Sequence, residues 1–232
     1  MPLFPRQPIE RKLAMIKVRT DQGEITISSA VFTTITGAAA TNCFGVKGMA
    51  YRSMTDGLVH LLRREAMSKG VKVTYNEDGT VVCVFNGEIY NYKTLRARLQ
   101  QRGHTFATDS DTEVLLHGYE EWGRDLPCRL RGMFAFAVWD RTRGTLFCAR
   151  DLFGIKPLCY YKKGETLLFA SEIKAFLDHP SFAKRLNTAQ LPLYLSCQYS
   201  PGRDTFFAGV QKLLPGHFLI FSDGIVRTTR WV

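Results

Sequence analysis

The sequence predicts an α+β protein in which antiparallel sheets are stacked and flanked by a few helices. Short apolar segments recur along the chain and are separated by turn sequences such as NEDG at 76–79 and DG at 223–224. A smaller number of segments space their apolar residues three and four positions apart, as amphipathic helices do. With 232 residues, the chain is long enough to bury a sizeable core.

The first 80 residues begin with a short proline-containing tail at 1–11, which we expect to be disordered. Alternating polarity and serine residues that can cap helices predict five elements between this tail and residue 80. These elements are strands at 15–19 and 24–28 that form a hairpin, a helix from Ser28 or Ser29 to Ala40, a helix from Ser53, and a strand at 71–75.

The elements after residue 80 are mostly strands. The strand at 80–85 pairs with 71–75 through the turn at 76–79, and Tyr92, Leu95 and Leu99 predict a helix that stops near Gly103. Ser110 and Glu113 have the spacing of a capping box that opens another helix. Further strands are predicted at 130–140, 146–149, 158–161, 167–170, 217–221 and 226–231, with short helices at 173–177 and 189–195.

The composition argues against several classes of protein. No apolar run approaches the roughly 18–20 residues of a membrane span, and the start lacks the apolar core of a signal peptide, so we expect a cytoplasmic protein. The net charge of +10 is spread over the chain, with no long basic cluster, so we expect no nucleic-acid partner. The six cysteines include no CxxC pair, and no metal site is expected.

Five motifs follow one another after residue 81: FNGEIYN at 85–91, SDTEV at 110–114, RGMFAF at 131–136, ARD with GIKPL between 149 and 158, and FASEIK at 169–174. In this order and spacing, residues 81–232 resemble the glutaminase domain of the asparagine synthase (glutamine-hydrolysing) family, a class II glutamine amidotransferase. The resemblance implies an Ntn-hydrolase fold of two stacked sheets with flanking helices. It also implies glutamine hydrolysis that supplies ammonia for asparagine formation from aspartate and ATP.

The same resemblance assigns roles to four residues. The side-chain amide of Asn86 and the backbone N–H of Gly87 match the family's oxyanion hole, which stabilises the tetrahedral intermediate. Glu88 and Asp111 match the residues that hold the α-ammonium group of glutamine. Without the resemblance, Asn86 and Gly87 could simply form a turn, and Asp111 could be an ordinary charge at a helix start.

Two parts of the family's chemistry are not found in the sequence. The family uses an N-terminal cysteine as its nucleophile, whereas this chain begins Met-Pro-Leu, so we expect little or no glutaminase activity. The family's early strands, one of which carries a basic residue for the glutamine carboxylate, are also missing, so the predicted fold is incomplete. ATP and Mg²⁺ would belong to a synthetase domain, and we expect no cofactor in this chain. Glutamine and a synthetase domain or a second copy are the expected partners, and Arg150, Asp151 and Lys156 should be structural or face that domain.

The segment before residue 80 resembles a different family. Residues 17–28, 38–50 and 56–59 are similar to the alkaline-shock proteins, which implies a small α/β unit with a non-enzymatic role in envelope stress. The predicted organisation is therefore a tail at 1–11, an alkaline-shock-like unit at 12–80 and an amidotransferase domain at 81–232. A chimera joined at 76–82, an alkaline-shock-type protein with an incidental extension, and a product that folds poorly because strand edges are left unpaired remain alternatives.

Overall fold

The computed structural model describes residues 15–20, 23–28, 72–75 and 81–232. The predicted tail, the two predicted helices between residues 28 and 70 and the turn at 76–79 lie outside the described residues. The predicted N-terminal hairpin is confirmed, because β1 (Met15–Thr20) and β2 (Gly23–Ser28) pair antiparallel from Met15 opposite Ser28 to Thr20 opposite Gly23.

The remaining described elements alternate between strands and a few helices. In order they are β3 (Lys72–Tyr75), β4 (Val81–Ile89), α1 (Tyr92–Gln101), α2 (Asp111–Trp122), β5 (Gly132–Asp140), β6 (Thr145–Arg150), β7 (Cys159–Lys163), β8 (Thr166–Ala170), α3 (Leu191–Cys197), β9 (Val210–Lys212), β10 (His217–Ser222) and β11 (Ile225–Arg230).

Within the described part of the chain, six strands form the main sheet, in the order β11-β10-β6-β5-β4-β3. All its described pairings are antiparallel, and the longest joins β4 to β5 over nine residue pairs, from Val81 opposite Asp140 to Ile89 opposite Gly132. The predicted pairing of residues 71–75 with 80–85 is confirmed by β3 and β4. This sheet therefore includes residues on both sides of the predicted boundary at 80–81.

One face of the main sheet packs against α1 and α2. Large side chains alternate along β5 toward this face, where they are buried with Leu95 and Leu99 of α1. The sheet residues in this cluster include Cys83, Phe85, Ile89, Phe134, Phe136, Val138, Phe147, Ala149 and Phe218. Burial of such a cluster contributes roughly 25 cal/mol per Å² of apolar surface, which makes this layer the main stabilising core.

The opposite face of the main sheet packs against a second sheet. Among the residues that the structure describes, that sheet has three strands in the order β8-β7-β9. Its Tyr160, Leu167 and Phe169 pack against side chains of β5, β6 and β10. The main-sheet residues in this cluster are Ala135, Ala137, Leu146, Cys148, Leu219 and Phe221. The predicted stacking of two antiparallel sheets is therefore confirmed.

A further layer covers the outer face of the small sheet. Cys159 and Tyr161 point away from the main sheet and pack with Phe176, Phe182 and Val210. Phe176 belongs to a 3₁₀ helix at Ile173–Phe176, where a short helix is predicted. The layers run helix, sheet, sheet and outer helical turn, so the predicted α+β class with Ntn-hydrolase-like stacked sheets is confirmed. No helix among the described residues is both long and apolar enough to cross a membrane.

Candidate functional site

The end of β4 positions three of the predicted site residues. Side chains alternate along this strand, so Phe85 enters the core against the helices while Asn86 points to the face that carries the small sheet. The Asn86 amide Nδ2 donates a hydrogen bond to Ser171 Oγ at 3.2 Å, and Ser171 directly follows β8. Ser171 therefore holds the Asn86 amide across the two sheets. Sequence reasoning missed this role, although Ser171 lies within the FASEIK motif.

Gly87 allows β4 and β5 to approach closely next to Asn86. Its φ is +146°, and an added Cβ would lie 2.1 Å from Met133 O, which no side chain can occupy. Gly132, with φ +158°, makes the reciprocal approach, since its added Cβ would lie 2.1 Å from Glu88 O. Only glycine fits both backbone positions, so the predicted special role of Gly87 has a steric basis in the structure.

Asp111 contacts Ile89, the last residue of β4. Ile89 directly follows Glu88, which is exposed. Asp111 is the first residue of α2, only 8% of its surface is exposed, and its Oδ2 accepts a hydrogen bond from Ile89 N at 3.2 Å. The structure thus brings all four predicted residues to one end of β4. Their assigned roles toward glutamine stay predictions.

The start of α2 is fixed by hydrogen bonds that match only half of the predicted capping box. Ser110 Oγ accepts from Glu113 N at 3.2 Å, as predicted. The Glu113 carboxylate instead accepts from Ala107 N at 2.6 Å and Thr108 N at 2.7 Å, because the preceding loop turns its N–H groups toward it. Burial alone would raise the pKa of Glu113, but hydrogen bonds from His117, Thr108 and Ala107 lower that pKa to about 2.

The loop after β6 is organised by Arg150 and Asp151. Asp151 is 1% exposed, and its side chain accepts hydrogen bonds from the N–H groups of Phe134, Phe153, Ile155 and Lys156 at 2.9–3.2 Å. Arg150 donates to the carbonyls of Gly154, Lys156 and Leu213 at 2.6–2.8 Å. Of the two predicted roles for Arg150 and Asp151, the structural one accounts for these contacts.

The three buried cysteines of residues 81–232 are poorly suited to act as nucleophiles at this site. Cys83, Cys148 and Cys159 are buried, and burial raises the pKa of each thiol above its ordinary value. A thiol with a raised pKa forms little thiolate, the reactive species, near neutral pH. Cys83 also faces the helix layer, on the opposite side of β4 from Asn86.

Comparison with known families identifies this architecture. The sequence profile of the family described as "Glutamine amidotransferase domain" matches residues 46–232. The chain belongs to this family. The match begins inside the segment predicted to be alkaline-shock-like, and both that resemblance and the division at 80–81 stay predictions. The comparisons give no support to the alternative that the chain is a non-enzymatic alkaline-shock-type protein.

The relatives of this amidotransferase-family chain include several asparagine synthetases. The chain is 47% identical over 155 residues to "Asparagine synthetase [glutamine-hydrolyzing] 3" of Bacillus subtilis, covering 66% of this chain and 25% of the relative. It is 39% identical over 193 residues to "Asparagine synthetase [glutamine-hydrolyzing] 2" of the same organism, covering 75% and 26%. The chain therefore spans about a quarter of the length of these relatives.

Among solved structures, the chain is similar to a glutamine phosphoribosylpyrophosphate amidotransferase from B. subtilis complexed with ADP and GMP. The TM-score is 0.47 at 22% identity, covering 69% of this chain and 31% of the other. A class-II domain protein from Silicibacter pomeroyi, described as a glutamine aminotransferase, gives a TM-score of 0.35 at 15% identity and covers 66% and 67%.

Proposed function

We propose that residues 81–232 bind glutamine at the end of β4, as the glutaminase domain of an asparagine-forming enzyme. Ammonia from the glutamine side chain would then be used to make asparagine from aspartate and ATP. Family membership and the similarity to asparagine synthetases support this reaction class. The observation that carries the proposal is the meeting of Asn86, Gly87, Glu88 and Asp111 at one end of β4.

These groups match the charge distribution of glutamine during hydrolysis. Attack on the side-chain amide places negative charge on its carbonyl oxygen, which N–H donors held in place can stabilise. An amide nitrogen carries two hydrogens, so Asn86 can donate to Ser171 and to this oxyanion together, with the Gly87 N–H as the second donor. Glu88 and Asp111 supply carboxylates for the α-ammonium group of the substrate.

We further propose that none of the buried cysteines Cys83, Cys148 and Cys159 supplies the nucleophile. The buried cysteines have raised thiol pKa values, and Cys83 faces away from Asn86. We expect the full chain to bind glutamine and to release ammonia no faster than an Asn86→Ala variant. Ammonia release from glutamine, measured for both proteins under identical conditions, tests this. A wild-type rate well above that of the variant would contradict it.

A synthetase domain is the partner that this function requires, because ammonia must be consumed by an activated acceptor. ATP and Mg²⁺ would act in that domain and not in residues 81–232. The loop around Asp151 exposes three apolar side chains, those of Leu152, Phe153 and Ile155. These side chains offer a surface for the synthetase domain. A second copy of the chain is the other candidate occupant, and a cytoplasmic location stays a prediction.

The experiment that tests glutamine binding is a calorimetric titration of the full chain with glutamine. We expect binding in the wild type and at least about tenfold weaker binding in Asp111→Asn, since a hydrogen bond to a charged group contributes about 1.5–3 kcal/mol. Asp109→Asn is the matched control, because it makes the same charge change two residues away at a carboxylate whose side chain is 94% exposed.

Thermal melting without glutamine shows whether each variant is folded, which matters because Asp111 also accepts from Ile89 N. A folded wild type that binds no glutamine would refute the proposal. Equal affinities in a folded Asp111→Asn variant and in the Asp109→Asn control would refute the assigned role of Asp111. Titration with glutamate in place of glutamine checks that the side-chain amide is recognised.

A further inference from the structure

A cluster of two histidines and three glutamates lies where α2 meets the segment that follows α1. His104 comes shortly after α1, while Glu113, His117, Glu120 and Glu121 belong to α2. His117 and Glu120 are six and nine residues beyond Asp111, which is about 9 and 14 Å along the helix. His117 and Glu120 are therefore separate from the proposed glutamine site, and the proposed function does not use them.

Three ligand-type side chains converge within this cluster. His104, His117 and Glu120 each offer one ligand atom, and these three atoms all lie within 4.8 Å of one another. His117 Nδ1 is 2.8 Å from Glu120 Oε2, and His104 Nδ1 is 3.9 Å from the same oxygen. The spacing of His117 and Glu120, three residues apart on α2, puts both on one face of the helix, as in other helix-borne metal sites.

The second nitrogen of each imidazole faces another carboxylate. His104 Nε2 is 3.1 Å from Glu121 Oε2, and His117 Nε2 is 3.8 Å from Glu113 Oε1. In metal sites, a carboxylate behind a ligating histidine orients the ring and makes its free nitrogen more basic. Both histidines thus aim Nδ1 at Glu120 and have a carboxylate at Nε2. A cluster of glutamates alone would not produce this arrangement.

Neighbouring side chains hold the ligands in place. The ring of Phe106 packs edge-on against His117 with 4.7 Å between ring centroids. Arg102 pairs with Glu121 through Oε1, which leaves Oε2 directed at His104. His117 is buried, His104 is half-buried and Glu120 is exposed, so an ion could enter from solvent past Glu120.

We propose that His104, His117 and Glu120 form a binding site for a divalent transition metal, with Zn²⁺ as the best match. Two imidazoles and one carboxylate are typical zinc ligands, and three protein ligands leave a fourth position for water or a substrate. Zn–N and Zn–O bonds of about 2.0–2.2 Å require ligand atoms roughly 3.3–3.5 Å apart. Rotation of the exposed Glu120 side chain can open the 2.8 Å separation and shorten the 3.9 Å one.

The position of the site suggests what the metal would do. It would join the segment after α1 to α2, and α1 and α2 together form the helical layer over the main sheet. Metal binding to the native state adds stability in proportion to RT ln(1 + [metal]/Kd). Zinc should therefore raise the melting temperature of the chain whether or not glutamine is bound.

The test is a calorimetric titration of the metal-stripped full chain with ZnCl₂, in parallel with melting curves. We expect one zinc ion per chain and a higher melting temperature with zinc. Glu120→Gln removes a ligand and keeps the side-chain shape, so it should abolish both effects. Glu121→Gln removes only the carboxylate behind His104 and should weaken zinc binding about 10–100-fold.

Two exposed residues outside the cluster provide the controls. Glu165→Gln repeats the charge change of Glu120→Gln, and His179→Gln removes a histidine, so both should bind zinc as the wild type does. Melting without zinc shows whether each variant is folded. The proposal fails if the folded wild type does not bind zinc, or if folded Glu120→Gln and His104→Gln variants bind it as tightly as the wild type. Glutamine binding is measured separately, so either result leaves the proposed function intact.

Discussion

At β5, the two faces of the main sheet differ in the size of the side chains they bury. Along β5, Phe134, Phe136 and Val138 point toward the helices, whereas Ala135 and Ala137 point toward the small sheet. The helix face gains most of its stability from the burial of large apolar side chains. On the other face β5 contributes small residues, which leaves room beside them for polar groups such as Asn86 opposite Ala135.

This difference separates the structural role of the sheet from its proposed functional role. Because successive side chains alternate between faces, a single strand can hold a core residue and a site residue next to each other, as Phe85 and Asn86 do. Changes on the helix face should therefore act on stability. Changes on the small-sheet face should act on ligand binding at a smaller cost in stability.

The largest effect should come from removing a large side chain on the helix face. Phe136→Ala deletes a ring that is 1% exposed and packs against Phe134 and Phe147. We expect a loss of about 3–5 kcal/mol in the free energy of unfolding, from lost burial and the cavity left behind. Urea denaturation of both proteins measures it. A loss below about 1 kcal/mol would show that this face is not the main core.

Gly87→Ala tests the close approach of β4 and β5 beside the site. The added Cβ would overlap Met133 O, so β4 and β5 must separate locally, and the positive φ adds about 1–3 kcal/mol of strain. We expect glutamine binding to be lost along with this stability. Gly144→Ala is the control, because Gly144 also has a positive φ of +59° but no atom within 4 Å of an added Cβ. Equal effects of the two substitutions would contradict a special close approach at Gly87.

The sequence predicts the strands of the main sheet better than it predicts the contacts of the site. β5 is predicted as a strand at 130–140, and the predicted pairing of β3 with β4 follows from the turn sequence at 76–79. β9 was missed because its three residues are too few to show alternation. The contact between Asn86 and Ser171 was missed because it joins residues 85 positions apart, and only the stacking of the two sheets brings them together. The Glu113 carboxylate accepts from Ala107 N and Thr108 N and so does not complete a capping box. The spacing of Ser110 and Glu113 does not determine the path of the loop before α2, so these contacts were not predicted.

Enlarging a small residue between the sheets should have an intermediate effect. Ala137→Leu adds volume where Ala137 packs with Cys148 and the small sheet, and we expect a destabilisation of about 1–3 kcal/mol. Ala175→Leu makes the same change at an exposed position and should be nearly neutral. Denaturation curves of the two variants compare them directly. If Ala137→Leu were also neutral, the space between the sheets would be looser than the structure indicates.

The smallest effect should be the pH dependence that Glu113 gives to the helix layer. Its folded pKa of about 2 lies below the ordinary value of 4.5, so its carboxylate stabilises the fold above pH 4.5 and this contribution is lost as the pH falls toward 2. Wild type should therefore be more stable than Glu113→Gln at pH 7, with the difference shrinking below pH 4.5. Melting curves of both proteins between about pH 3 and pH 7 measure it. A difference that grows toward low pH would contradict the assigned shift.

The reciprocal glycines on β4 and β5 also limit how the two strands can align while the chain folds. In the observed alignment, Gly87 meets the backbone at Met133 and Gly132 meets the backbone at Glu88. A slip of one position would bring residues that carry a Cβ into these two contacts. The same slip would reverse which side chains face the helices, exchanging Phe85 for Asn86. Two residues without side chains thus act against misaligned strand pairing, and the chain can reach its proposed binding site only through the one alignment that also buries its core.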